Sequence, residues 1–346
     1  MQQIYAAISL NQRTILWVLG LTVICYYILM DGVLYTTLQS LDLVNQKPVK
    51  PGASWSPFHP LSIKLIMTDP STHYIITPLS EHFNSATKFS QIFYFITPNM
   101  VTFTHLVISF ISAKFVFSES LQMRRIGVLL FELRSFLDAF DGTVYRSHAS
   151  IKAYKSDHSN FGFWFDCVAD TIGGFALMFG ALFFLWWKCP PGTDSSATSL
   201  PWSADDINDS KTDLVTEKPV KRTNFGYSKQ YIFLRCLSFG MQIGLSSAIW
   251  DQLTMRFEKV FLTKFDDPQL VQLQSVALHS TTTWVVFWLW RNLCGQSLQQ
   301  MFLVAIFTDK IWEFLRFMQY VGFVLIGLLA AFSFYHVTQI KMILHL

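Results

Sequence analysis

Residues 138–146 read DAFDGTVYR, and residues 162–170 read GFWFDCVAD. These two stretches decide how the rest of the chain is read. They place four carboxylates, Asp138, Asp141, Asp166 and Asp170, at the edges of two very apolar segments. Ionised groups at such positions are costly and rare, so they mark function. Asp138 and Asp141 are spaced i, i+3. Asp166 and Asp170 are spaced i, i+4, with Gly162 one turn earlier on the same face. Two helices lying side by side would bring all four carboxylates into one small volume. Like charges that close need cations between them, and a hard-oxygen donor set suits Mg²⁺ or Mn²⁺.

Working outward, the composition places these segments in a membrane. Of 346 residues, 51% are hydrophobic, 16% aromatic and 14% charged, with 33 Phe and 11 Trp. A soluble chain carries about 25% charged residues. The mean hydropathy of +0.34 agrees with an integral membrane protein. The net charge of +3 and the absence of a dense basic patch exclude nucleic acid as a partner class. The five cysteines, Cys25, Cys167, Cys189, Cys236 and Cys294, lie in or beside apolar segments without CxxC spacing. They read as small hydrophobes rather than a zinc site.

The expected fold is an all-α polytopic bundle of about seven transmembrane helices. The first span, 14–35, has no small-residue cleavage site after it and reads as a retained anchor, with Asp31 reaching the interface. Residues 36–90 are punctuated by prolines, and Leu61 to Ile66 suit the headgroup region. Further spans are expected at about 98–117, 126–140, 162–187, 230–250, 275–290 and 317–337. Residues 147–161 read as a polar loop, and 190–228 as a second loop holding the sequon Asn208-Asp209-Ser210. The expected division is an N-terminal anchor and interfacial segment, 1–90, followed by a catalytic transmembrane domain, 91–346. Glu132 and Arg134, inside the third span, either pair within the bundle or bind a ligand.

Cations held by convergent aspartates bind a pyrophosphate and stabilise charge growing on a leaving phosphate. Gly142, directly after Asp141, permits a close approach, and Arg146 lies one turn beyond, where it could fork onto a phosphate. Asp170, deeper in the membrane, is placed to take a proton from a lipid hydroxyl. The pattern suits transfer from a soluble diphosphate donor to a lipid alcohol.

Asp138, Asp141, Gly142, Arg146, Gly162, Asp166 and Asp170 match the order of D-x2-D-G-x2-A-R, spacer, G-x3-D-x3-D. This resembles the CDP-alcohol phosphotransferase family over about residues 91–290. Pro98-Asn99-x-x-Thr102 looks like the P-N-x-x-T segment that often precedes the motif. The resemblance implies a six-helix core with an extra N-terminal span. It also implies two Mn²⁺ or Mg²⁺ ions on Asp138, Asp141, Asp166 and Asp170, with Asp170 as base. Gly142, Arg146, Gly162, Asn99 and Thr102 would border the CDP-alcohol. For Asn99 and Thr102, simple helix capping is the alternative.

Two departures stand out. Tyr145 replaces the family's alanine, and the spacer 147–161 is longer than usual. With the extra leading span, these features are similar to the insect enzymes that make ceramide phosphoethanolamine. That similarity implies CDP-ethanolamine as donor, ceramide as acceptor, a membrane setting and, as in many family members, a homodimer. One added helix turns the site toward the lumen of the Golgi if the N-terminus is cytosolic, and Arg124 and Arg125 then lie on the cytosolic side. The alternatives are an ethanolamine- or choline-phosphotransferase acting on diacylglycerol, and a cation or lipid transporter. Bland readings go to His148 and His158 as solvated loop residues, and to His105, His279 and His336 as satisfied bundle residues.

Overall fold

The computed structural model describes residues 2–40, 61–149, 161–188 and 227–346, and every regular element among them is helical. The long helices are α1 (Gln2–Gln39), α5 (Pro98–Val116), α6 (Leu121–His148), α7 (Phe161–Lys188), α8 (Lys229–Leu262) and α12 (Ile311–Ile343). At about 1.5 Å per residue, each reaches roughly the 30 Å of a bilayer core. All but α6 are also apolar enough to cross one. Helix α6 fails that measure because it carries Arg124, Arg125, Glu132, Arg134, Asp138, Asp141 and Arg146. Several of these turn into the bundle, and Arg124, Arg134 and Asp141 are buried.

Local sequence explains the boundaries. Thr97 accepts a hydrogen bond from the Met100 N–H and Pro98 fills the first turn of α5. Ser228 caps α8 in the same way through Tyr231. The expected span at 275–290 is not one helix. Ser280 is extended and caps a new helix through the Thr283 N–H, which divides α9 (Pro268–His279) from α10 (Thr281–Leu293). Cys294 is extended too, and α11 (Gly295–Phe307) follows it. At about 20 Å each, neither α10 nor α11 crosses a bilayer alone. Gly295 is required at this break. An added Cβ would collide with the Ser247 hydroxyl and lie 3.1 Å from the Ile243 carbonyl oxygen, so only glycine lets α11 touch α8.

Helices α5, α6 and α7 form a tight unit behind the site. A Cβ at Gly180 would sit 2.5 Å from the Ala113 carbonyl oxygen, and one at Gly173 would sit 2.7 Å from Ser109 Oγ. These glycines let α7 press directly onto α5. At the far end, Arg124 donates to Asp309 at 2.6 Å and to the carbonyls of Ser118 and Glu119. Arg125 donates to the Phe307 carbonyl at 3.1 Å. Both arginines are therefore structural ties.

Two expectations change. Residues 61–92 fold into the bundle as α2 (Ile63–Met67), a π-turn (Thr72–Ile76), α3 (Thr77–Thr87) and α4 (Phe89–Ile92). Leu61, Ile63, Leu65 and Ile66 share one core with residues of α8, α10 and α12. Helices α8 and α10 also supply side-chain partners for the backbone of this segment. Trp250 Nε1 donates to the Met67 carbonyl at 2.9 Å, and Arg291 donates to the Ile66 carbonyl at 2.8 Å. Asp31 is also buried within the protein. Its carboxylate pairs with Arg291 and accepts from Tyr74 and Trp288. The sequon at Asn208, Cys189 and His158 lie outside the described residues.

Candidate active site

Helix α6 carries Asp138 and Asp141 toward α7, which carries Asp166 and Asp170. Helix α5 adds two residues from behind. Thr102 Oγ1 donates to Asp141 Oδ2 at 2.6 Å in a buried contact. One turn on, His105 is fully buried, with Nε2 3.6 Å from Asp166 Oδ1 and 3.8 Å from Asp141 Oδ2. His105, Asp138, Asp166 and Asp170 each offer a ligand atom, and these atoms lie within 4.8 Å of one another. Among the described residues, both His105 nitrogens and Asp166 Oδ1 are buried without a hydrogen-bond partner. Buried polar atoms are rarely left so, and one cation between His105 Nε2 and Asp166 Oδ1 would satisfy both of these. The residues present therefore fit a metal ion, and this cluster could bind one.

Arg134 is the internal counter-charge. Its guanidinium lies 3.6 Å from Asp138 Oδ2, one turn on, and is ion-paired with Asp170. This decides between the two readings of Arg134 in favour of pairing. Glu132 pairs within the bundle as well, accepting from Gln300 of α11 at 3.3 Å. His105 corrects the sequence reading. It is not a satisfied bundle residue, whereas His336 shares a 2.8 Å hydrogen bond with Thr283 and His279 one of 3.3 Å with Ser275. The available signal was an ionisable side chain inside an apolar helix, i, i+3 from Thr102.

The carboxylates open onto a cavity of about 740 Å³ between α6, α7, α8, α11 and α2. That is within the usual range of small-molecule sites, about 300–1,000 Å³. Asp138, Asp141, Asp166, Asp170, Gly142 and Arg146 all line it. Gly142 leaves room for the arginine to fold back, since a Cβ there would stand 3.2 Å from Arg146 Nη1. The guanidinium donates to Thr143 Oγ1 at 3.0 Å and lies 3.6 Å from Glu81 Oε1 of α3. Burial pushes the Glu81 carboxyl above its ordinary value, and Arg146 partly offsets this. Three expected residues do not line the cavity. Asn99 is exposed, Thr102 stands behind Asp141, and Gly162 lies at the start of α7. Tyr145 is half-buried, His148 is exposed at the end of α6, and residues 150–160 of the spacer lie outside the described residues.

An all-helical membrane bundle with convergent carboxylates around a cavity defines the class, an integral membrane enzyme. The family model for ceramide phosphoethanolamine synthase matches residues 52–345, and the chain belongs to that family of transferases. It is 29% identical over 284 residues to a ceramide phosphoethanolamine synthase of Drosophila melanogaster, covering 82% of this chain and 69% of that one. No solved structure matches the chain. Family membership places it in sphingolipid metabolism and sets the transporter reading aside.

Proposed function

We propose that this protein transfers phosphoethanolamine from CDP-ethanolamine to the primary hydroxyl of ceramide, giving ceramide phosphoethanolamine and CMP. The observation that carries the proposal is the meeting, in one cavity, of four carboxylates with Arg146 and Gly142. The hydroxyl oxygen attacks the phosphorus that bears ethanolamine, the bond from that phosphorus to the bridging oxygen breaks, and CMP leaves. Asp170, oriented by Arg134, takes the hydroxyl proton. Arg146 pairs with donor phosphate oxygens once it turns from Glu81. Thr102 holds Asp141 in place. Mn²⁺, or Mg²⁺, held by Asp138, Asp141, Asp166 and Asp170 together with His105, would neutralise the diphosphate and the departing CMP. The single imidazole favours Mn²⁺ over Mg²⁺.

We place the enzyme in the Golgi membrane with a lumenal site, on the strength of the added N-terminal helix. The test is CMP release by full-length purified protein from CDP-ethanolamine and ceramide, with Mn²⁺ and with EDTA. Asp138→Asn and Asp170→Asn should abolish release while the protein elutes as the wild type does; full turnover by either defeats the mechanism. Diacylglycerol in place of ceramide tests the acceptor. A sequon placed in residues 147–161 should be glycosylated, and its absence in an active protein defeats the lumenal assignment.

A further inference from the structure

The cavity holds a fifth aspartate that the reaction as described does not use. Asp251 of α8 lines it, half-buried. Among the described residues Asp251 has no hydrogen bond or ion pair. Lys64 of α2 also lines the cavity, but no ion pair joins the two. An unpaired carboxylate on a membrane helix is costly and calls for a cationic partner.

The fold sets its height. Helix α8 starts where α7 ends, since Trp186 Nε1 donates to the Lys229 carbonyl at 3.1 Å. The two helices are therefore antiparallel. From that point Asp166 lies 20 residues back along α7 and Asp251 22 residues along α8. At about 1.5 Å per residue these distances are roughly 30 and 33 Å, the same level within a turn. Asp251 thus faces the cavity at the level of the Asp138–Asp166–Asp170 cluster, on a different helix from all its members. Trp250, beside it, also lines the cavity and has its indole N–H fixed on the Met67 carbonyl.

A donor whose phosphates sit against the α6–α7 cluster must put its headgroup elsewhere in the same cavity. Resting on the donor assignment above, we propose that Asp251 binds the ammonium group of the phosphoethanolamine headgroup and selects a cationic headgroup over a neutral one. The carboxylate supplies a charge-assisted hydrogen bond to the ammonium, and Trp250 supplies an aromatic wall.

The test compares three competitors of the full-length enzyme: CDP-ethanolamine, CDP-ethanol, which lacks the ammonium, and CMP, which lacks the headgroup. The readout is the ratio of the inhibition constants of CDP-ethanol and CDP-ethanolamine, taken against radiolabelled donor. Wild type should prefer CDP-ethanolamine by roughly 10–100-fold, the range of a hydrogen bond to a charged group. Asp251→Asn should bring the ratio near one while CMP inhibits within about twofold of wild type, and Asp251→Glu should restore part of the preference. A ratio near one in the wild type overturns the inference without any variant. So does an unchanged ratio in Asp251→Asn, including the case where all three competitors weaken together. Failure of wild type to release CMP from CDP-ethanolamine would instead sink the donor assignment.

Discussion

Replacing Asp31 by alanine should destabilise the whole bundle, although most of α1 faces lipid. Asp31 Oδ1 accepts from the Tyr74 hydroxyl at 2.6 Å and lies 3.2 Å from Arg291 Nη2, and Oδ2 accepts from Trp288 Nε1 at 3.0 Å. Arg291 is fully buried, and its Nη1 donates to the Ile66 carbonyl and to His73 Nδ1. Without Asp31 the guanidinium keeps those neutral acceptors and loses its contacting counter-charge. Breaking a buried ion pair from one side costs about 3–5 kcal/mol. At about 2 °C per kcal/mol for a larger chain, the apparent Tm should fall by roughly 6–10 °C. The assay is thermal loss of the monodisperse peak of detergent-solubilised protein. Arg291→Met in the Asp31→Ala background should recover much of the loss, because the cost lies in the uncompensated charge. A single variant within about 1 °C of wild type, or a double variant that falls by the sum of the singles, would refute the reasoning.

His105→Ala should raise the Mn²⁺ concentration needed for half-maximal CMP release by about 10–100-fold, as expected for a group in or against a metal shell. An unchanged metal requirement would remove His105 from the site. Gly180→Ala should destabilise by about 1–3 kcal/mol, since its Cβ would meet the Ala113 backbone oxygen at 2.5 Å. Gly327→Ala, which meets nothing within 4 Å, should be neutral or stabilising by up to about 1 kcal/mol. Equal Tm shifts for the two glycine variants would count against the α5–α7 packing. Asp69 is buried, and that burial holds its carboxyl above the ordinary 3.8, while the Thr72 N–H bond and Arg291 offset part of the effect. Its ionisation therefore costs more folded than unfolded, and stability is lost as pH rises from 3.8 through the raised value. Asp69→Asn keeps an acceptor for Thr72, so it should melt higher than wild type at neutral pH, with the gap closing as pH falls towards 3.8. A gap independent of pH would contradict this.

What could be read before folding was local. The four aspartates were legible because i, i+3 and i, i+4 spacing is a property of one helix. Long apolar runs located α1, α5, α7, α8 and α12 for the same reason. What could not be read depends on which helices meet. His105 belongs to the site only because Gly173 and Gly180 let α7 press onto α5, and a lone histidine in an apolar run carries no mark of that. Asp31 looked interfacial because it sits near the end of an apolar run, and its partner Arg291 lies far along the chain. The break at Ser280 was within reach, since a serine before three threonines is a capping sequence; the run of apolar residues around it outweighed that signal.

Two of the buried arginines, Arg291 and Arg134, separate structure from chemistry. Arg291 and Asp31 form a balanced pair, one charge of each sign, with both Asp31 oxygens taken by protein donors. Arg134 stands among four carboxylates and contacts two of them. One guanidinium cannot neutralise four ionised carboxylates, and Asp166 Oδ1, 3.6 Å from His105 Nε2, is left without a hydrogen bond. A low-dielectric interior relieves such an imbalance by protonation or by a bound cation. The Asp31–Arg291 contact is charge-balanced and reads as a fastening. The Asp138–Asp170 cluster could bind a cation, and Asp251, unpaired at the same level of the same cavity, adds a further anion for a cationic group to meet.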